Sequence, residues 1–184
     1  MKKKGTESKF KAKLLSPELP EGGSNWLFII LPQVASQKLP RRGRLTVGGS
    51  INGSPFKAML EPDGKKSHWL KIDEKLRLAS AAAVGEHATF EIYALEDEPE
   101  PDIPKDLEQA ISETADAKET WLKTTTLARV DWIHWVESAK TQKTRHKRIV
   151  DAVEMLASGK RRVCCFDPSG FYSKALSAPK LSQK

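Results

Sequence analysis

Residues 44–72 read RLTVGGSINGSPFKAMLEPDGKKSHWLKI, and this stretch decides the fold. Arg44-Leu-Thr-Val47 is apolar and β-branched enough for a strand. Asn52-Gly53 follows after a few residues, and both positions of a tight two-residue hairpin turn favour positive φ. Pro55 to Leu60 is then the returning strand. Asp63-Gly64 gives a second turn signal, and His68-Trp-Leu-Lys-Ile72 a third strand. These are three short strands with close turns between them.

The same pattern extends outward in both directions. Upstream, Phe10, Ala12 and Leu14 alternate with Lys11 and Lys13, the signature of a half-buried strand. A Pro/Gly-rich loop, SPELPEGGSN (16–25), separates it from Trp26-Leu-Phe-Ile-Ile-Leu31. That continuous apolar run predicts a strand buried on both faces, stopped by Pro32. Downstream, a short helix is expected from Asp73 to Ala83, ending at Gly85. The last strand is Thr89 to Leu95, with Phe90, Ile92 and Ala94 alternating against Glu91 and Tyr93. Six short strands joined by close turns predict a small closed β-barrel over residues 9–96, preceded by a mobile tail at 1–8.

Residues 96–104, EDEPEPDIP, carry five acids and three prolines, which neither a helix nor a central strand tolerates. We therefore place an acidic, Pro-rich linker at 97–104 and a helical domain at 105–160. Pro104 suits a helix start, and Leu107, Ala110, Ile111 and Thr114 share one helical face. Thr124–Thr126 offers caps for a helix through Val130, Ile133, Val136 and Ala139. Thr141 can cap another, with Ile149, Ala152, Val153 and Leu156 as its apolar face and Gly159 as its stop. Residues 161–184 read as an extended arm and tail with a Pro168-Ser169-Gly170 turn, and the last residues, SAPKLSQK, as disordered. The fold class is α+β.

The 184 residues carry 31 Lys and Arg against 24 Asp and Glu, a net charge of +7. No run approaches the roughly 18–20 apolar residues that span a bilayer, and the basic start lacks the apolar core of a secretory signal. A cytoplasmic setting is expected. Charge is segregated: residues 1–90 are net +8, 91–119 net −9 and 120–184 net +8. Such blocks steer anionic partners or neutralise one another within the fold.

Two stretches also resemble known families. Trp132-Ile133 with Trp135, Ser138-Ala139-Lys140, Thr144-Arg145, Arg148-Ile149, Leu156 and Gly159-Lys160 are similar to the bacteriocin-protection, YdeI or OmpD-associated family. The order Trp26-Leu-Phe-Ile-Ile-Leu-Pro32, Gly43-Arg44 with Val47, Ser50-Ile-Asn-Gly-Ser-Pro-Phe56, the Lys71–Ala79 helix entry, Gly85 and the acidic Glu96-Asp-Glu-Pro-Glu-Pro101 resembles domain of unknown function 1905. Lys143 is a departure, since the former family usually has an acid just before the Thr-Arg pair. The resemblance implies a six-stranded barrel like the split barrels of AbrB-like proteins, then a helical domain. It implies no established enzyme activity; the family name suggests protection from peptide antibiotics or contact with an outer-membrane protein.

Candidate sites follow from clustered side chains. Lys140, Lys143, Arg145, Lys147 and Arg148, with Arg161 further on, form the best candidate for contact with nucleic acid or an acidic protein surface, because phosphate binding needs clustered cations. The plainer reading is a solvated face plus one or two Arg that fix helix packing or pair with the acidic block. Trp26, Trp69, Trp121 and Trp132 could wall a small-molecule pocket between barrel and helices. Trp132 and Trp135 at helical spacing more often mean core. Cys164-Cys165 lacks a second pair of metal ligands, and the four His are scattered, so neither a metal nor another cofactor is expected. No nucleophile–base motif is visible, and no catalytic residue is assigned. The expected function is non-enzymatic binding or protection. Exposed strand edges could pair two barrels, so the chain is a monomer or a dimer.

Overall fold

The computed structural model describes residues 3–18, 25–164, 166–172 and 176–182. They divide into two compact units, one holding the chain up to Asp97 together with the described residues from Asp167 on, the other holding Glu98–Phe166.

The first unit is one antiparallel sheet of six strands. Along the chain come β1 (Lys3–Lys13), β2 (Leu27–Ile30), helix α1 (Gln33–Gln37), β3 (Leu45–Ile51), β4 (Ser54–Pro62), β5 (His68–Ile72), helix α2 (Glu74–Ala79) and β6 (His87–Leu95). Their order in the sheet is β1-β6-β3-β4-β5-β2. The turn between β3 and β4 is the expected one: Asn52 and Gly53 have φ of 49° and 84°, and Ile51 pairs with Ser54. The Asp63-Gly64 signal also marks a hairpin, but with a five-residue loop. There Asp63 Oδ1 accepts from the Lys65 and Ser67 amides at 2.7 and 2.8 Å, and this side-chain bridge holds a wider turn.

Alternation sorts the strands into two faces. In β6, Ala88, Phe90, Ile92 and Ala94 are buried while the residues between them are half-exposed. The core is completed by Leu45, Val47 and Ile51 of β3, Leu60 of β4, Leu70 and Ile72 of β5, and Leu27 and Ile29 of β2. Gly49 in β3 is obligatory, because any Cβ there would collide with the Glu91 carbonyl of β6. In the Trp26–Leu31 run Leu27, Phe28 and Ile29 are buried, so both faces of β2 are covered at its centre. Phe28 lies outside the main core; its ring stands 6.2 Å from those of Trp26 and Trp69.

The structure corrects four expectations. The sheet curls into a half-barrel and does not close: β1 and β2 are its edges, and among the described residues one bridge past the end of β1, Leu15 to Phe28, joins the two sides. β2 is four residues long and cut off by Pro32, too short for a ladder. Strand β1 starts at Lys3, pairing Lys3 with Leu95 and Lys4 with Ala94, so residues 3–8 are strand and not tail. The helix expected to Ala83 stops at Ala79, where Ser80 and then Ala81, at φ 51°, break the spiral. Lastly, the C-terminal stretch bridges back: Leu181 pairs with Pro17, the Glu18 amide donates to the Lys180 carbonyl, and the Ser182 amide donates to the Ser16 carbonyl.

The second unit is four helices: α3 (Lys105–Ser112), α4 (Ala115–Leu122), α5 (Thr126–Glu137) and α6 (Gln142–Ala157). Leu107, Ile111, Ala117, Trp121, Trp132, Ile133, Val136, Ile149, Ala152 and Leu156 form its core. Helix α4 was not expected. Its buried residues are only Ala117 and Trp121, one i, i+4 pair, too little periodicity to announce a helix. Gly159, at φ 82°, ends α6 as its sequence position suggests.

Candidate functional site

The basic segment lies in the helical unit, and its helices are set by caps and ion pairs. The Thr125 hydroxyl accepts from the Ala128 amide to start α5, and the Thr141 hydroxyl from the Thr144 amide to start α6. Arg145, in the second turn of α6, reaches Asp106 in the first turn of α3 with a forked pair of bonds at 2.7 and 2.9 Å. Each partner shifts the other: the guanidinium hydrogen bond lowers the Asp106 pKa, and the carboxylate raises that of Arg145. Asp106 also suits the positive end of α3.

Arg148 does a different job. Its Nη1 donates to the Trp135 carbonyl at 2.5 Å and to the Ser138 hydroxyl at 2.9 Å, and the guanidinium stands 5.5 Å from the centre of the Trp135 ring. It therefore closes the C-terminal end of α5, where helix carbonyls lack partners. Lys147 pairs with Asp151 one turn on, at 2.7 and 3.0 Å. Three of the six candidate cations are thus engaged within the unit. Lys140, Lys143 and Arg161 are exposed, with no bonded partner among the described residues. Arg161 follows the far end of α6, whose 16 residues span about 24 Å. The six do not make one patch. What gathers at the start of α6 is Lys140, Lys143 and, beside them, His146.

Between α3 and α6 runs a groove of about 310 Å3, lined by Asp106, Gln109, Ala110, Glu113, Gln142, Arg145, His146 and Ile149. Its acids are partly occupied, since Gln109 donates to Glu113 at 2.9 Å and Asp106 holds Arg145. The acidic block thus neutralises its flanks locally: Glu91 takes Lys9, Glu100 takes Arg129 and Asp106 takes Arg145.

Two groupings had no sequence signal. Arg129 donates to Glu100 at 2.5 Å, to the Thr124 hydroxyl at 3.1 Å and to the Leu122 carbonyl at 3.2 Å, and lies over the Trp121 ring, binding the α4–α5 corner to the segment before α3. In the sheet unit, the Ser36 hydroxyl of α1 is 2.8 Å from His68 Nδ1, and His68 Nε2 is 3.2 Å from the Gly43 carbonyl. With Nε2 donating to that carbonyl, Nδ1 accepts from Ser36. His68 is 1% exposed and Ser36 5%, and burial lowers the His68 pKa. Closed off from solvent, the pair pins α1 to β5.

The four tryptophans divide between the units. Trp26 and Trp69 lie 6.4 Å apart on the outer face of β2 and β5, whereas Trp121 and the fully buried Trp132 belong to the helical core. Trp135, half-buried, meets Trp132 edge-on. Cys164 is exposed, and Cys165 lies outside the described residues. Among the described residues no cluster of His, Cys, Asp or Glu could hold a metal ion, and no helix is long and apolar enough to cross a membrane.

Comparison with known families finds two matches. The family described as "Bacteriocin-protection, YdeI or OmpD-Associated" matches residues 100–159, and "Domain of unknown function (DUF1905)" matches residues 10–92. One match falls in each unit. The DUF1905 match ends within β6, and the bacteriocin-protection match runs from Glu100, the partner of Arg129, to Gly159, the stop of α6. Asp106, Arg129, Arg145 and Arg148 all fall inside the stretch that is similar to the bacteriocin-protection family. No curated protein matches the chain.

Proposed function

We infer that the chain is a non-enzymatic, cytoplasmic binding or protection protein whose bacteriocin-protection domain meets an anionic partner at the start of α6. One observation carries this reading. The first turn of α6 holds no acid, and Lys140, Lys143 and Arg145 crowd the helix end that already bears positive partial charge. Cations there each cost about 0.3–1 kcal/mol. Asp106 offsets Arg145 alone, so the remaining field is open to an anion. An AbrB-like relation of the DUF1905 unit would suit nucleic acid as that anion. The family description speaks of bacteriocin protection and OmpD association, and either would be exercised through such a contact.

The test is a salt titration of binding to labelled random duplex DNA, with polyglutamate in parallel. The variant is Lys140→Gln/Lys143→Gln/His146→Gln, which leaves the structural Arg145 and Arg148 in place. Binding should weaken steeply with salt, and the log–log slope should flatten by about one for each phosphate that the variant no longer neutralises. No binding to either polymer at about 50 mM salt, or an unchanged slope in the variant, overturns the reading.

A further inference from the structure

On the DUF1905 unit, away from α6, β4 and β5 part company. They pair only from Leu60–Leu70 to Pro62–His68, so the first half of β4 has no strand on that side. Helix α2 comes in beside it instead, held where Ser54 donates to the Ala79 carbonyl and Asn52 to the Ser80 carbonyl. Between them lies a groove of about 280 Å3. Its apolar walls are Pro55, Phe56, Ala58, Leu76 and Ala79. Its rim carries Lys57 from β4, Lys71 from β5 and Lys75 from α2.

We propose that this groove binds a small anion with a flat apolar body, an aromatic ring carrying one carboxylate or phosphate. Three observations support it. First, the charge is one-sided: three lysines and one carboxylate, Asp73, line the groove, and the Asp73 Oδ1 is already spent on the Leu76 amide at 2.8 Å. Neither Lys57 nor Lys75 has a carboxylate partner among the described residues. Second, Lys71 is restrained, its ammonium 4.9 Å from the centre of the Trp26 ring on the β2 side of β5, so Lys57 and Lys75 are the cations left open at the groove. Third, the size is right for one ring with its acid group, near the lower end of the about 300–1,000 Å3 typical of small-molecule sites. Phe56 and Leu76 pack on the core and give a stiff apolar floor, while the cations stay in water until an anion bridges them. The proposal does not rest on the α6 reading, since no residue is shared.

The experiment is calorimetric titration of the full chain with phenyl phosphate and benzoate, against inorganic phosphate (head alone) and benzyl alcohol (body alone). Amide shifts in the nuclear magnetic resonance spectrum locate the site. Both acids should bind saturably, move amides at Phe56–Ala58 and Lys71–Leu76, and bind more tightly than either half-molecule. Lys57→Gln/Lys71→Gln/Lys75→Gln should weaken them about ten-fold or more, with the circular dichroism spectrum unchanged. Ala79→Trp, at an exposed wall position, should block them by filling the space. The proposal fails if neither acid saturates, if either variant binds like the native chain, or if inorganic phosphate binds as tightly as phenyl phosphate.

Discussion

His68 shows how a buried side chain ties stability to pH. Burial disfavours its charged form, and both ring nitrogens are committed, to Ser36 and to the Gly43 carbonyl. The groups that bear on its charge are Asp63, which favours the proton, and Arg41, which opposes it. Its folded pKa is therefore below the ordinary 6.5. Above pH 6.5 both the native and the unfolded chain hold it neutral, and its contribution is fully present. As pH falls below 6.5, the unfolded chain takes up a proton that the native state resists, so stability declines until the folded pKa is passed. Urea unfolding at pH 7.5, 6.5 and 5.5 should show this decline, and His68→Gln should remove part of the slope. Parallel pH dependence in the two chains would remove His68 from the account. Ser36 and His68 are 32 residues apart, so no local pattern could have paired them. The same holds for Arg145 and Asp106, 39 apart. The turn at Asn52-Gly53 was legible because its requirement, positive φ at two successive residues, is local.

Among the elements, α6 sets stability against charge most openly. Thr141 caps it, but Lys143 occupies the first turn, where an acid would be favourable. Lys143→Glu should therefore stabilise the helical unit by about 0.3–1 kcal/mol and raise its unfolding midpoint, while weakening binding to polyanions. A variant that loses both stability and binding would mean that Lys143 is held by contacts of another kind. Elements were readable where apolar periodicity was strong, as in β6 and α6. They were missed where packing needs little apolar surface: α1 buries only Ala35 and Ser36, and α4 only Ala117 and Trp121. The barrel was overdrawn for a related reason. Alternation reports which face of a strand is buried, but not whether the first and last strands meet.

At the scale of the whole chain, the C-terminal residues return to the unit that begins it. Leu176 is buried, and its carbonyl lies so close to Gly64 and Gly170, both at positive φ, that a Cβ at either would collide with it. Lys66 lies over the Phe171 ring at 4.7 Å, and Leu181 bridges Pro17. The helical unit is thus an excursion between two parts of the sheet unit. Composition could not reveal this, because the returning segment is polar and Pro-rich and holds on chiefly by backbone bonds at residues 16–18. Ending the chain after Phe166 should therefore weaken the sheet unit, by about 2 kcal/mol from Leu176 alone, and leave the helical unit as it was. Hydrogen exchange separates the two. Amides of Glu18 and the 63–67 loop should lose protection, while those of α5 and α6 keep theirs, because the Thr125 and Thr141 caps and the Arg148 bond to the end of α5 are all made within residues 98–166. Equal loss in both units would mean that they unfold as one, and the return of the chain would then be what couples them.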